Sequence, residues 1–153
     1  MKAAHHLLSL GGLGVALIAF TLTWWEGFLT TGTSFALSGG EGDPFAWSLT
    51  LAAGASYTAA LLLRRLTKRV ALGLQTLLAG GAAGALLAVS SFPAAAVQEV
   101  LATATGISGQ AALEGLDTIL ATGSEGLAIA ALFAGALGGV LGQFGGRDAP
   151  RGD

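Results

Sequence analysis

The side chains of this chain that could carry chemistry are few and lie far apart in the sequence. His5 and His6 are adjacent, so on a helix they point about 100° apart and do not chelate one ion as a pair four residues apart would. Their position at the start of an apolar run indicates ordinary solvated residues. Ser90 and Ser91 lack a partner for a nucleophilic relay, because the only two histidines belong to the opposite side of the topology derived below.

Acidic and glycine-rich segments give no stronger signal for chemistry. Glu114 and Asp117 lie three residues apart on one face of a predicted helix, and Glu99 could approach them. A calcium site needs a loop of closely spaced carboxylates, which is absent, so we interpret these acids as a solvated polar face. The glycine-rich segments follow no predicted strand, which argues against a phosphate-binding loop. With no cysteine in the chain, these patterns predict a non-enzymatic protein without a catalytic, cofactor-binding or metal site.

Glycine spacing within the apolar runs predicts helix packing instead. Gly80 and Gly84 are four residues apart in the third run. The fourth run repeats this spacing more persistently, at Gly135, Gly138, Gly139 and Gly142. Small residues at this spacing let two helix backbones approach closely in a bilayer, so we expect these six glycines to line helix contacts.

The elements that must position these residues are four apolar runs. They cover approximately residues 7–25, 45–63, 70–92 and 126–144, and about 20 helical residues cross the hydrocarbon layer of a bilayer. Hydrophobic residues make up 53% of the chain and charged residues only 10%, with a mean hydropathy of +0.72. A soluble domain carries about 25% charged residues. The sequence therefore predicts an all-α membrane protein, a bundle of four transmembrane helices that forms one domain over residues 1–153.

The charges predict how this bundle is oriented. All seven basic residues lie on one side of the apolar runs: Lys2, Arg64, Arg65, Lys68, Arg69, Arg147 and Arg151. Basic residues are retained in the cytoplasm during insertion, so both termini are expected there, in a multi-pass protein of the bacterial plasma membrane. The cluster from Arg64 to Arg69 is the predicted topogenic turn. The first run has no convincing cleavage site and is expected to be retained rather than removed as a signal peptide.

Aromatic residues mark the opposite, outer side. Trp24 and Trp25 end the first run and Trp47 opens the second, where indole rings commonly anchor helices at the membrane interface. The outer segment 26–44 is compatible with either a short β-hairpin or an irregular loop, since it combines threonines with a Gly39-Gly40 pair.

The outer segment 93–125 shows helical spacing twice, at residues 97–104 and again at residues 113–120. We therefore expect two short amphipathic helices, joined near Gly106. Their apolar faces either cover the top of the bundle or lie in the headgroup zone, and the small size of these faces favours the former.

The order of these features resembles a family of small four-span membrane proteins encoded beside tryptophan-biosynthesis genes in actinobacteria. The resembling segments are Thr21-Leu22-Thr23-Trp24-Trp25, Ser38-Gly39-Gly40, the second span from Pro44, the Arg64-Arg65 turn and Ala104-Thr105-Gly106-Ile107-Ser108-Gly109. The resemblance covers most of the chain as a pattern of features rather than as one motif. It implies a plasma-membrane protein of unassigned activity that is associated with tryptophan biosynthesis, and it transfers no functional residue.

Two functions from different classes remain open at this point. The first is a non-enzymatic accessory or scaffold protein whose expected partners are membrane lipids and either a second copy of itself or a larger membrane protein, with no nucleic acid and no cofactor. The second is transport of a small amphipathic solute such as tryptophan by an oligomer. Tyr57 and Gln75 would line that route, although a hydrogen bond within the bundle explains each residue more simply.

Overall fold

Long helices and a small sheet account for most of the chain. The computed structural model describes residues 2–30, 32, 34–63, 65–88, 94–106 and 113–144. The helices are Lys2–Thr21 (α1), Gly39–Gly42 (α2), Pro44–Leu62 (α3), Arg65–Ala88 (α4), Ala94–Thr105 (α5) and Ser124–Phe144 (α6), and the strands are Thr23–Leu29 (β1), Ser34–Ser38 (β2) and Leu116–Ala121 (β3). Four of these helices, α1, α3, α4 and α6, are long and apolar enough to cross a membrane.

The four long helices form a ring in chain order, and each runs antiparallel to its neighbours. The most extensive contacts join α1 to α6, α3 to α4 and α4 to α6, whereas α1 and α3 touch less. Helix α3 begins with a proline in its first turn. Asp43 caps this helix, because its Oδ1 accepts a hydrogen bond from the Ala46 amide at 2.8 Å. We call the end of the bundle beside the strands the sheet end and the end beside the α3–α4 connection the turn end.

The number of apolar helices confirms the sequence prediction, while the first begins at Lys2 rather than near residue 7 and the third at Arg65 rather than near residue 70. The first helix ends at Thr21 rather than near residue 25, because Trp24 and Trp25 belong to β1. The third begins at Arg65 and is described to Ala88, and the remainder of the predicted span, 89–92, lies outside the described residues. The second and fourth helices agree with the predicted spans to within about two residues.

A three-stranded antiparallel sheet covers the sheet end, in the order β2-β1-β3. Of the two alternatives for segment 26–44, the structure has the β-hairpin, with Gly27 opposite Phe35. Its connection contains Gly32, which has a positive φ, whereas the Gly39-Gly40 pair predicted as a turn begins α2. A Cβ atom at Gly27 would meet the Phe35 ring, so any other residue there would require that ring to shift. The all-α prediction was therefore incomplete.

The prediction of the second amphipathic helix is wrong. The segment around residues 116–121 is β3, which pairs with β1 so that Gly27 also lies opposite Ile119. Short apolar runs fit both the helical and the strand period. This segment forms a strand because the edge of β1 that β2 leaves unpaired offers backbone hydrogen bonds to it. The first helix is confirmed as α5, which packs Val97 and Leu101 against Leu29, Phe35 and Leu37 of the sheet.

Candidate functional site

The closest helix contact in the bundle joins α1 to α6 and is built on glycines. A Cβ atom on Gly12 would lie within 3.0 Å of backbone atoms of Gly135 and Ala131. A Cβ atom on Gly138 would meet the Ser9 amide and hydroxyl at 2.5 Å. The two backbones therefore touch at these positions, which is the close approach that small residues permit.

The same helix uses its other predicted glycines against a second partner. A Cβ atom on Gly139 would lie within 3.0 Å of the Thr76 hydroxyl of α4, and one on Gly142 would meet both His5 and Leu72 at 3.0 Å. Helix α6 is thus wedged between α1 and α4, and the structure places all four predicted glycines of the fourth span at contacts between helices.

Gly80 and Gly84 of α4 lie in a different environment. A Cβ atom added to either would meet no atom of the described chain within 4 Å, and Gly84 is exposed. Leu77, three residues before Gly80 on α4, is 74% exposed. No described residue of the chain therefore packs against the Gly80–Gly84 pair, which leaves room there for another helix.

A buried polar cluster links three helices near the middle of the bundle. The Gln75 side chain of α4 is fully buried, and its Nε2 donates to Ser9 Oγ at 3.0 Å and to the Gly135 carbonyl at 2.9 Å. Gln75 Oε1 is also buried and has no hydrogen-bond partner among the described residues. A buried amide oxygen without a donor is uncommon, because such an oxygen loses its hydration without compensation.

Further polar contacts extend from this cluster toward the turn end. His6 Nδ1 lies 2.9 Å from the Tyr57 hydroxyl and bridges α1 and α3, while Gln143 Nε2 donates to Thr76 Oγ1 at 3.3 Å. His5 is buried and its ring lies 3.8 Å from that of His6. The interpretation of the two histidines as ordinary solvated residues is therefore wrong.

This cluster was accessible to sequence reasoning only in part. The residues His5, Ser9, Gly12 and Ala16 follow one another at spacings of three or four, which puts polar and small side chains on one helix face. That face is the buried one. The pattern is detectable, but lone polar residues in an apolar run do not reveal which helix supplies their partners.

The tryptophans at the sheet end differ from one another. Trp24 is 3% exposed, packs on Phe20 with a ring separation of 4.9 Å and donates its indole N–H to the Ala19 carbonyl at 2.7 Å. It packs inside the protein rather than against lipid. Trp25 and Trp47 are half-buried, and the Trp47 ring lies 5.3 Å from Phe20.

Three of the four predicted topogenic residues, Arg65, Lys68 and Arg69, lie at the turn end. Lys68 and Arg69 are in the first turns of α4, whose first residue is Arg65. Arg64 lies outside the described residues.

A cleft of about 470 Å³ lies at the sheet end, between α5 and the β2–α2 segment. Its lining residues are Leu37, Glu41, Ala96, Glu99, Val100 and Thr103. The hydroxyl and amide of Ser38 donate to Glu41 Oε2 at 2.7 and 2.9 Å, and these bonds hold the pKa of Glu41 below its usual range. Sequence reasoning missed this cleft, because it forms only when β2 and α5 pack together.

Within the described residues, no three His, Asp or Glu side chains are grouped so that they could hold a metal ion. Comparison with known family models, curated proteins and solved structures gives no match.

Proposed function

We propose that this chain is a non-enzymatic, multi-pass protein of the bacterial plasma membrane that acts as an accessory or scaffold protein. It associates through α4 with a second copy of itself or with a larger membrane protein. The observation that carries the proposal is the open face at Gly80 and Gly84.

The contrast between α4 and α6 supports this proposal. Each of the four predicted glycines on α6 lies against a neighbouring helix, whereas a Cβ atom at Gly80 or Gly84 of α4 would meet none of the described residues within 4 Å. Lipid tails are as apolar as leucine, so the hydrophobic effect does not drive helices together within a bilayer. Helix association there depends on close van der Waals packing of the backbones instead. A second helix that approached Gly80 and Gly84 would gain the packing that α1 gains at Gly135 and Gly138.

The charge pattern supports the orientation that we propose. Lys2, Lys68 and Arg69 belong to helix ends at the turn end. Seven of the nine acids lie in the sequence between the apolar helices at the sheet end or in the first turn of α6. The positive-inside rule then puts both termini in the cytoplasm and the sheet outside. The association with tryptophan biosynthesis rests on the actinobacterial family resemblance alone and stays a prediction.

Crosslinking followed by mass spectrometry in native membranes tests the proposal. We expect the wild type to capture a reproducible neighbour, and Gly80→Leu and Gly84→Leu to weaken its capture about tenfold, the factor given by 1.4 kcal/mol of lost packing. Gly11→Leu is the matched control, because a Cβ atom at Gly11 of α1 also meets nothing within 4 Å. Loss of capture in the control, or a strictly monomeric wild type with no reproducible neighbour, contradicts the proposal.

One observation favours transport as a second candidate function. The unpartnered Gln75 Oε1 and the polar contacts between it and the turn end give the bundle a polar interior at that end. Toward the sheet end the described core consists of residues such as Ala79, Ala83 and Leu86. Gln75 is fully buried within a single copy, so a route along it would run through the bundle rather than between copies.

Labelled tryptophan uptake and efflux, compared in cells with and without the gene, test this second candidate. A flux difference that disappears in Gln75→Leu at unchanged membrane level would favour transport over the accessory function. Equal fluxes in both directions would exclude transport of this solute.

A further inference from the structure

The cleft at the sheet end combines an apolar floor with acidic walls contributed by separate elements. Leu37 of β2 is fully buried and forms its floor together with Ala96 and Val100 of α5, both half-buried. Glu41 of α2 and Glu99 of α5 line the same cleft and are exposed. Its volume, about 470 Å³, lies within the range of about 300–1,000 Å³ that is usual for small-molecule sites.

The polar groups of this cleft are acceptors. The Thr103 hydroxyl donates a hydrogen bond to the Glu99 carbonyl oxygen at 3.0 Å. The lone pairs of the Thr103 oxygen are left to accept a hydrogen bond from a ligand. The Glu41 carboxylate is held in its charged form by the two Ser38 bonds, and both of those bonds end on Oε2. Because ionised carboxylates accept but never donate, a neutral acceptor or an anion finds no complementary group among these side chains.

Among the residues that the structure describes, no basic side chain lines the cleft. The sequence has no Lys or Arg between residues 3 and 63 or between residues 70 and 146, so the segments on both sides of the cleft are exclusively acidic. The described residues of the lining include two carboxylates and no basic residue. The complementary positive charge must therefore come from another molecule.

We propose that this cleft is a binding site for a small organic cation, an ammonium group carried on an apolar body. The apolar body lies on Leu37, Ala96 and Val100, and the ammonium donates to Glu41, Glu99 and the Thr103 hydroxyl. Charge-assisted hydrogen bonds of this kind are stronger than neutral ones, so the head group decides which ligand binds. This site goes beyond the proposed association through α4 and is independent of it.

Fluorine NMR on the purified full-length protein in nanodiscs tests the proposal. The probe is para-fluorophenethylammonium, compared with the para-fluorophenyl alcohol and carboxylate of matching length. We expect saturable binding of the cation, and binding of the alcohol and the carboxylate that is at least tenfold weaker. Added salt should weaken binding of the cation, because the carboxylates are at the surface.

Matched variants locate the site. Glu99→Gln is expected to weaken binding of the cation about tenfold, and Val100→Trp to abolish it by filling the cleft, with circular dichroism unchanged. Glu114→Gln removes an exposed charge outside the cleft and should leave binding unchanged. Equal binding of the alcohol overturns the proposal, as does an equal effect of Glu114→Gln, which would indicate a diffuse acidic surface. A lysine-rich peptide that binds where the probe does not would also overturn it.

Discussion

At the scale of single residues, neighbouring glycines of α1 have opposite roles. A side chain at Gly12 would penetrate the backbone of α6, whereas one at Gly11 would meet open space. The two positions share a helix, a depth and a residue type. Only the direction of the missing Cβ atom separates them, which makes them a direct test of the α1–α6 contact.

We predict that Gly12→Ala lowers the free energy of unfolding by about 2 kcal/mol, since the helices must move apart to admit the methyl group. Gly11→Ala should instead raise it by about 0.5–1 kcal/mol, because alanine is the better helix former and its methyl group meets no described residue. Reversible unfolding of the purified protein in mild detergent measures both. If the two variants were equally stable, the backbone contact between α1 and α6 would be absent.

At the scale of elements, β3 shows where local pattern and tertiary context disagree. The residues from Leu113 to Leu120 fit helical spacing, yet Thr118 and Ile119 are β-branched and pair with β1. Without β3, the central strand β1 would have one edge of unpaired backbone N–H and C=O groups. A strand can pair with these groups, whereas a short amphipathic helix on the surface could not.

A disulfide test separates the strand from the predicted helix. Glu26 and Leu120 are directly opposite in the register and both are exposed, so Glu26→Cys with Leu120→Cys should form a disulfide readily. The diagonal pair Glu26→Cys with Thr118→Cys should form it far more slowly. The chain has no native cysteine, so gel mobility under non-reducing conditions reads the result directly. Equal rates for the two pairs would rule out this register.

The sequence predicts those elements whose physics is local. Twenty apolar residues in a row define a membrane helix, and the helix start at Asp43-Pro44 is set by its own side chains. The third strand and the partners of Gln75 depend on segments far away in the chain, which no local window contains. The same limit explains why glycine spacing did not separate α6 from α4. Spacing identifies a face of small residues, but it does not indicate whether the bundle or another protein covers that face.

At the scale of the whole molecule, the arrangement of charge at the two ends predicts accessibility. Cysteine at Ser34, exposed in β2, should react with an impermeant thiol reagent in intact cells, while cysteine at Thr67, exposed near the start of α4, should not. Permeabilised cells should label both positions, which controls for reactivity. Labelling at Thr67 together with protection at Ser34 would reverse the proposed orientation.

The sheet also fixes the order in which the protein can be assembled. Thr23 and Thr122, joined by a hydrogen bond at its edge, are 99 positions apart in the chain. At synthesis rates of about 5–20 residues per second, β1 waits on the order of 5–20 s for β3 to be made. During that interval two long apolar helices, α3 and α4, are made while one edge of β1 is unpaired. Arrival of the last strand therefore completes the sheet, and a chain truncated before β3 would expose an edge that quality-control proteases and chaperones can recognise.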